Sequence, residues 1–314
     1  MEETALQVLP GSSLSLDQCV AAWLHEKCRR SQKTRAAYTA TIDHFRTALH
    51  LAGLDLTSDA TLIALAAQGW CGVGDEGDVS PGTINQRLAI LSSFYKYAIG
   101  HDVCMKNPID LVERQPRNVR DAALPLEASE IATYLTAIDR ETLEGQRDFA
   151  LLSVALTTGR RVSELAALRW SHLRVAGKKC IVTWVHCKGG KVMSDELKPK
   201  TVNALMVYLQ AVYGARLGAL PADAPIWVSL SANNHRGAIS TQAIADICKR
   251  RIGTSKVHTL RHTFAVSMEA AGASLSDIGD RLGHNDLKTT SDYMKRLHSA
   301  ENAYASKLET MFGI

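Results

Sequence analysis

The sequence predicts a mainly α-helical protein with one small β-sheet, divided into an all-helical first domain and a mixed α/β second domain. Three observations lead there. Apolar residues recur at helical spacing through most of residues 13–113, with no strand-like alternation among them. Residues 114–126, RQPRNVRDAALPL, have no periodicity, two prolines and several arginines, and read as a linker. In residues 127–314, one β-branched and aromatic run, KCIVTWVH (179–186), leads into the turn Lys188-Gly189-Gly190-Lys191 and then into KVMSDEL, which together read as a β-hairpin.

Residues 1–12 read as a short disordered tail. SLDQCVAAWLHEK (15–27) is helical, with Ser15 as its N-cap. TRAAYTATIDHFRTALHLAG (34–53) is a second helix that stops at Gly53. An acidic, glycine-rich loop at Gly72–Gly82 precedes TINQRLAILSSFYKYAIG (83–100), another amphipathic helix, and Asn107-Pro108 interrupts the chain beyond it. The first domain is therefore four or five short helices. In the second, EASEIATYLTAI (127–138), QRDFALLSVALTTG (146–159, ending at Gly159) and RVSELAALRWSHL (161–173) are helical. The hairpin comes next, then helices in TVNALMVYLQAVY (201–213) and STQAIADICKR (240–250), then several short helices.

Composition narrows the classes. The chain has 314 residues, 46% hydrophobic and 22% charged, a globular balance able to bury real cores. No apolar run approaches the ~20 residues of a membrane span, and the acidic N-terminus lacks the basic and apolar regions of a secretory signal. The 7 cysteines are odd in number and scattered, with no CxxC pair; this predicts reduced thiols in a cytoplasmic setting and no zinc site. Net charge is +4, but unevenly placed: residues 1–115 hold 10 Lys/Arg against 13 Asp/Glu, and residues 116–314 hold 26 against 19. A basic second part permits nucleic-acid binding without proving it.

Four short strings carry residues fit for chemistry. Arg161 and Glu164 share a helix face at i, i+3; alone they are an ordinary ion pair. In HTLRH (258–262), His258 and Arg261 share a face. His258 and His262 stand at i, i+4, but the glutamate of an HExxH zinc site is missing and an arginine between them repels a cation. In LGHNDLKTTSDYM (282–294), His284 follows a helix ending at Gly283, and Tyr293 rides on the next short helix. Lys188 sits at the hairpin tip. Together these are two arginines, two histidines, a lysine and a tyrosine, with no acidic metal cluster. Guanidinium groups match phosphate oxygens bidentately and can neutralise a pentavalent transition state. A tyrosine oxygen can attack phosphorus and leave a covalent intermediate once a base or a cationic site lowers its barrier to ionisation. A histidine can take that proton, and a lysine can protonate the departing oxygen.

In this order, TTGRRVSEL (157–165), CKGGK (187–191), HTLRHTF (258–264) and LGHNDLKTTSDYM resemble the signature of the tyrosine recombinase (phage integrase) family, and TRAAYTATIDHFRTAL and SPGTINQRLAILSSFYKYA resemble its core-binding helices. The resemblance implies a SAM-like helical core-binding domain over 13–113, a linker at 114–126 and a tyrosine recombinase catalytic domain over 127–314. It implies catalytic roles for Arg161, Lys188, His258, Arg261, His284 and Tyr293, with Glu164 in support. The strand after the lysine turn departs from the family's usual arginine and Pro-Leu ending, so Lys191 stays as the alternative to Lys188. The activity implied is site-specific cleavage and rejoining of DNA through a 3′-phosphotyrosyl bond, without metal, ATP or any cofactor. Type IB topoisomerase-like relaxation and non-cleaving DNA binding on the same fold are the alternatives. The implied partner is a double-stranded recombination site held in a C-shaped clamp, by a tetramer linked through residues 299–314, at the nucleoid in the cytoplasm. Expected DNA contacts are Lys33 and Arg35, in a basic run with Lys27, Arg29 and Arg30; Thr83, Asn85 and Arg87 at a helix start; and Lys249, Arg250 and Arg251. About twelve residues precede the first helix, too few for a further arm-type DNA-binding domain, which favours a simple two-domain recombinase.

Overall fold

The computed structural model describes residues 14–29, 31–74, 77–116, 124–176, 179–185, 187, 190–284, 287–297 and 311. The chain divides into two compact units, Met1–Asp121 and Ala122–Ile314.

The first unit contains α1 (Leu16–Cys28), α2 (Gln32–Leu51), α3 (Ala60–Cys71), the two-residue strands β1 (Val73–Gly74) and β2 (Gly77–Asp78), α4 (Pro81–Ile99) and a 3-10 turn at Pro108–Leu111. Local chemistry sets the helix starts. Ser15 closes a capping box with Gln18, while Ser31, Asp59 and Ser80 cap α2, α3 and α4. The core is aromatic. Trp23, Phe45, Phe94 and Tyr95 are almost completely buried, and Trp23 meets Phe94 edge-on at 5.5 Å between ring centres. One feature corrects the all-helical expectation: β1 and β2 pair antiparallel inside the acidic glycine-rich loop. Two-residue strands carry no alternation for a sequence pattern to reveal.

The second unit contains α5 (Ala128–Thr136), α6 (Leu143–Thr158), α7 (Val162–Ala166), a 3-10 turn at Trp170–His172, and strands β3 (Leu173–Ala176), β4 (Lys179–Trp184) and β5 (Met193–Leu197). Then come α8 (Pro199–Tyr213), a 3-10 turn at Gly214–Ala219, α9 (Thr241–Ile252), α10 (His258–Ala270), α11 (Leu275–Leu282) and α12 (Leu287–Leu297). The sheet is antiparallel in the order β3-β4-β5, and Val182 stands opposite Asp195. Cys180, Val182 and Trp184 of β4 and Leu197 of β5 face the core, which α6 and α8 complete with Leu151, Leu152, Leu205 and Tyr208.

One expectation needs correcting here. The helix over 161–173 ends at Ala166, and a third strand, β3, begins at Leu173. Neighbouring backbone takes over the hydrogen bonding: Trp170 N donates to Ala224 O at 2.9 Å, Ser171 N to Ala222 O at 2.9 Å, and Ile226 N to Leu168 O at 3.1 Å. Tertiary pairing overrides a helical pattern. A smaller cluster of Phe264, Ala265, Ile278, Leu282 and Met294 fastens α12 to α10 and α11. No helix among the described residues is long and apolar enough to cross a membrane.

Candidate active site

The site grows out of the end of α6. Gly159 terminates that helix with φ +62°, and a Cβ there would stand 2.2 Å from the Phe264 ring. Glycine therefore serves two needs, a left-handed cap and close passage beside α10. The chain then runs through buried Arg160 and the N-cap Arg161 into α7. Arg161 N and Nη1 donate to the two oxygens of Glu164 at 3.0 and 2.9 Å. Glu164 is buried and Arg161 only partly so; the carboxylate fixes the root of a guanidinium whose far edge stays open.

On α10, His258, Arg261 and His262 fall on neighbouring turns. Arg261 is 5% exposed. Its Nη1 donates to Gly159 O at 2.8 Å and its Nη2 to Leu282 O at 2.5 Å. One side chain thus joins the ends of α6 and α11. Burial pulls the Arg261 guanidinium down to about 10, with the nearby Arg161 cation acting in the same direction and Tyr293 and Glu164 opposing; it remains a cation at neutral pH. His258 is exposed at the start of α10. Partial burial, then the positive charges of Arg261 and Arg161, push its pKa below the usual 6.5.

The nucleophile candidate arrives from the other side. Gly283 caps α11 with φ +66°, and His284 comes next, its Nδ1 3.0 Å from Thr290 Oγ1. Thr290 on α12 is fully buried, and it fits because a Cβ on Gly279 would come within 2.6 Å of its Oγ1. Three residues on, Tyr293 stands edge-on to His284, with ring centres 5.6 Å apart at 76°. The Tyr293 hydroxyl and His262 Nδ1 share a hydrogen bond, their ring centres 5.1 Å apart.

The hairpin contributes its base. Lys188 lies outside the described residues. Before it, Cys187 is buried, its thiol pushed up first by burial and then by the Glu164 carboxylate beside it. After it, Lys191 Nζ donates to Gly283 O at 3.3 Å. Asp195 on β5 accepts from Arg160 Nε at 2.7 Å, from Trp184 Nε1 at 2.8 Å and from Arg281 at 3.3 Å.

The structure therefore brings Arg161, Glu164, His258, Arg261, His284 and Tyr293 into one neighbourhood, each close to at least one of the others. Sequence reasoning passed over His262, weighed only as half of a metal pair, together with the Arg160–Asp195 ion pair. The i, i+4 step from His258 was the available signal for His262, since it places both rings on one helix face. Among the described residues no three His, Cys, Asp or Glu side chains form a metal-binding group.

The residues expected to contact DNA behave differently from one another. Lys33, Arg35 and Lys249 are exposed. Thr83 is tied to Ser80 at the start of α4, and Asn85 Nδ2 donates to Gln115 O at 2.7 Å. Arg87 Nη1 donates to Cys71 O at 3.2 Å and Val73 O at 2.6 Å, with its guanidinium 5.1 Å from the centre of the Trp70 ring. Arg250 and Arg251 converge on the buried carboxylate of Asp148, at 3.1 and 2.8 Å. Residues 299–314, expected to join protomers, lie outside the described residues except for Met311.

Comparison with known proteins bears on the family and the fold. The sequence model described as "Phage integrase family" matches residues 125–299. Tyrosine recombinase XerC of Bacillus pumilus is 30% identical over 279 residues, which cover 84% of this chain and 86% of the relative. Among solved structures, a lambda integrase(75-356) dimer bound to a COC′ core site matches with TM-score 0.63 at 19% identity, over 89% of this chain and 95% of that one. The XerH site-specific recombinase bound to palindromic difH substrate matches with TM-score 0.64 at 17% identity, over 96% of this chain and 84% of that one. At such identities the two structures speak for the fold, and the sequence matches speak for descent: the chain belongs to the phage integrase family.

Proposed function

We propose that this protein is a site-specific tyrosine recombinase, which cuts and rejoins double-stranded DNA through a covalent bond between Tyr293 and a 3′ phosphate. The observation that carries the reading is the proximity of Arg261 on α10 to both Arg161, the residue that opens α7, and Tyr293 on α12: two guanidinium groups and a phenol lie close enough to act on one another's charge. Like charges held so close, one of them buried, favour an anion between them.

The geometry suits one chemistry. A scissile phosphate entering the pocket places its non-bridging oxygens against Arg161 and Arg261, which balance the charge that grows as phosphorus becomes pentavalent. Glu164 holds Arg161 in position. Tyr293 Oη attacks in line, the P–O5′ bond breaks, and Lys188 supplies the proton to the departing 5′ oxygen, with His258 and His284 lining the pocket. The phosphotyrosyl bond conserves the energy of the broken phosphodiester, so the 5′ hydroxyl of a second duplex can reverse the step without ATP. The two arginines supply the positive charge that divalent metals supply elsewhere. Exchange between two duplexes requires four copies acting on paired sites, with residues 299–314 as the linking segment.

The test is a nicked suicide duplex made from the DNA flanking the gene, incubated with protein and resolved under denaturing conditions. Wild type gives a covalent protein–DNA adduct with or without EDTA. Tyr293→Phe gives none while still shifting the duplex in a native gel. An adduct that persists in Tyr293→Phe, or that requires added Mg²⁺, overturns the reading.

A further inference from the structure

We propose that His262 is the group that orients the Tyr293 hydroxyl and takes its proton when Tyr293 attacks phosphorus; this rests on the recombinase reading above. The geometry separates the histidines by task. His284 meets the Tyr293 ring edge-on and is tied through Nδ1 to Thr290. His258 sits one turn before His262 on α10, their ring centres 6.2 Å apart, on the side of Arg261 and Arg161. His262 Nδ1 shares a hydrogen bond with the tyrosine hydroxyl. A proton acceptor must stand within hydrogen-bond reach of the proton it removes, and His262 meets that condition.

In the neutral tautomer with hydrogen on Nε2, the Nδ1 lone pair of His262 accepts the hydroxyl hydrogen bond. As the Oη–P bond forms, the proton passes to Nδ1. As the P–O5′ bond breaks, the 5′ oxygen takes a proton from Lys188. Religation returns the His262 proton to Tyr293. Among the described groups, His258 stands beside His262 on the same helix, His284 meets the Tyr293 ring, and Arg261 acts on Tyr293 while itself feeling Arg161, Glu164 and Arg160. The Arg261 guanidinium, which interacts with Tyr293, favours the phenolate and so favours the transfer.

The experiment compares His262→Asn, His262→Ala and Lys188→Ala with wild type for adduct formation, on a suicide duplex with an ordinary phosphate and on one with sulfur replacing the bridging 5′ oxygen. A sulfur leaving group departs without a proton. Asparagine keeps a polar atom near the Nδ1 position but accepts no proton near neutral pH. We expect His262→Asn and His262→Ala to slow adduct formation by about 10²–10³-fold on both substrates, with duplex binding unchanged. Lys188→Ala should slow the oxygen substrate and recover on sulfur. The wild-type rate should fall as pH drops, and that acid limb should vanish in His262→Asn yet survive in His258→Asn. Three results overturn the assignment: wild-type rate and pH profile in His262→Asn, recovery of His262→Asn by sulfur, or loss of duplex binding in parallel with loss of rate. Absence of any wild-type adduct on either substrate defeats the underlying recombinase reading instead.

Discussion

His258 stands where two arginine charges and a partly closed pocket work against its protonated form, so the folded protein binds that proton less readily than the unfolded chain. With the folded pKa depressed below 6.5, the unfolded state carries the extra proton between the two values. Stability contributed by this group is fully present above 6.5 and falls as pH drops through the folded pKa. Part of the ring remains in solvent, which keeps the effect small. We expect the melting temperature of wild type to fall more steeply between about pH 7 and pH 5 than that of His258→Gln; parallel curves in calorimetry would refute this. Phosphate or duplex DNA in the pocket would oppose the effect by favouring positive charge. At this scale the nearness of Arg161, Glu164, His258, Arg261, His284 and Tyr293 was foreshadowed by the order of motifs that resemble the family's signature, although each short string is weak alone. His262 was not, because its meaning depends on where a helix thirty residues later docks.

The β4–β5 hairpin shows how an element is aimed. Asp195 faces inward on β5, and its carboxylate holds Arg160, Trp184 and Arg281 together. The three contacts are not equal. Arg160 is essentially buried and pairs at 2.7 Å, whereas Arg281 is more than half exposed at 3.3 Å and adds little. Replacing Asp195 by asparagine leaves a buried guanidinium without its countercharge, a loss of about 3–5 kcal/mol to be read from urea unfolding. Because Met193 also lies 2.9 Å from Arg160 Nη1 and Lys191 reaches Gly283, the same change should slow adduct formation more than it weakens duplex binding. A variant as stable as wild type would show that the pair is dispensable. The two strands of the hairpin were legible from a β-branched and aromatic run, while the expected turn falls partly outside the described residues. The early end of α7 and the four-residue strand β3 were not, because hydrogen bonds from residues 222–226 decide them.

Across the whole molecule, charge and core obey separate plans. Each unit has its own apolar core, while the excess of Lys and Arg falls after residue 115. Affinity for duplex DNA should fall linearly with salt on log–log axes, by about 0.9 per phosphate neutralised. Exposure divides the expected contacts into those open to solvent and those engaged with their own backbone. Replacing Lys33 and Arg35, both exposed, by alanine should flatten it by about 1–2 units. Arg87→Ala should instead lower thermal stability and leave the slope alone, because its guanidinium serves the Cys71 and Val73 carbonyls. A flatter slope in Arg87→Ala, or an unchanged one in the double variant, would reverse the assignment. Composition suggested a basic catalytic half, but a count of charges cannot separate an arginine facing water from one engaged with its own backbone.

The clamp on Arg261 has a consequence in time. Its two carbonyl partners lie 102 residues before it and 21 residues after it, and the phenol that completes the pocket comes later still. A polypeptide emerging from the ribosome holds no assembled anion site until nearly all of its catalytic half is out. Half-made copies therefore lack the arrangement on which the proposed strand cleavage depends.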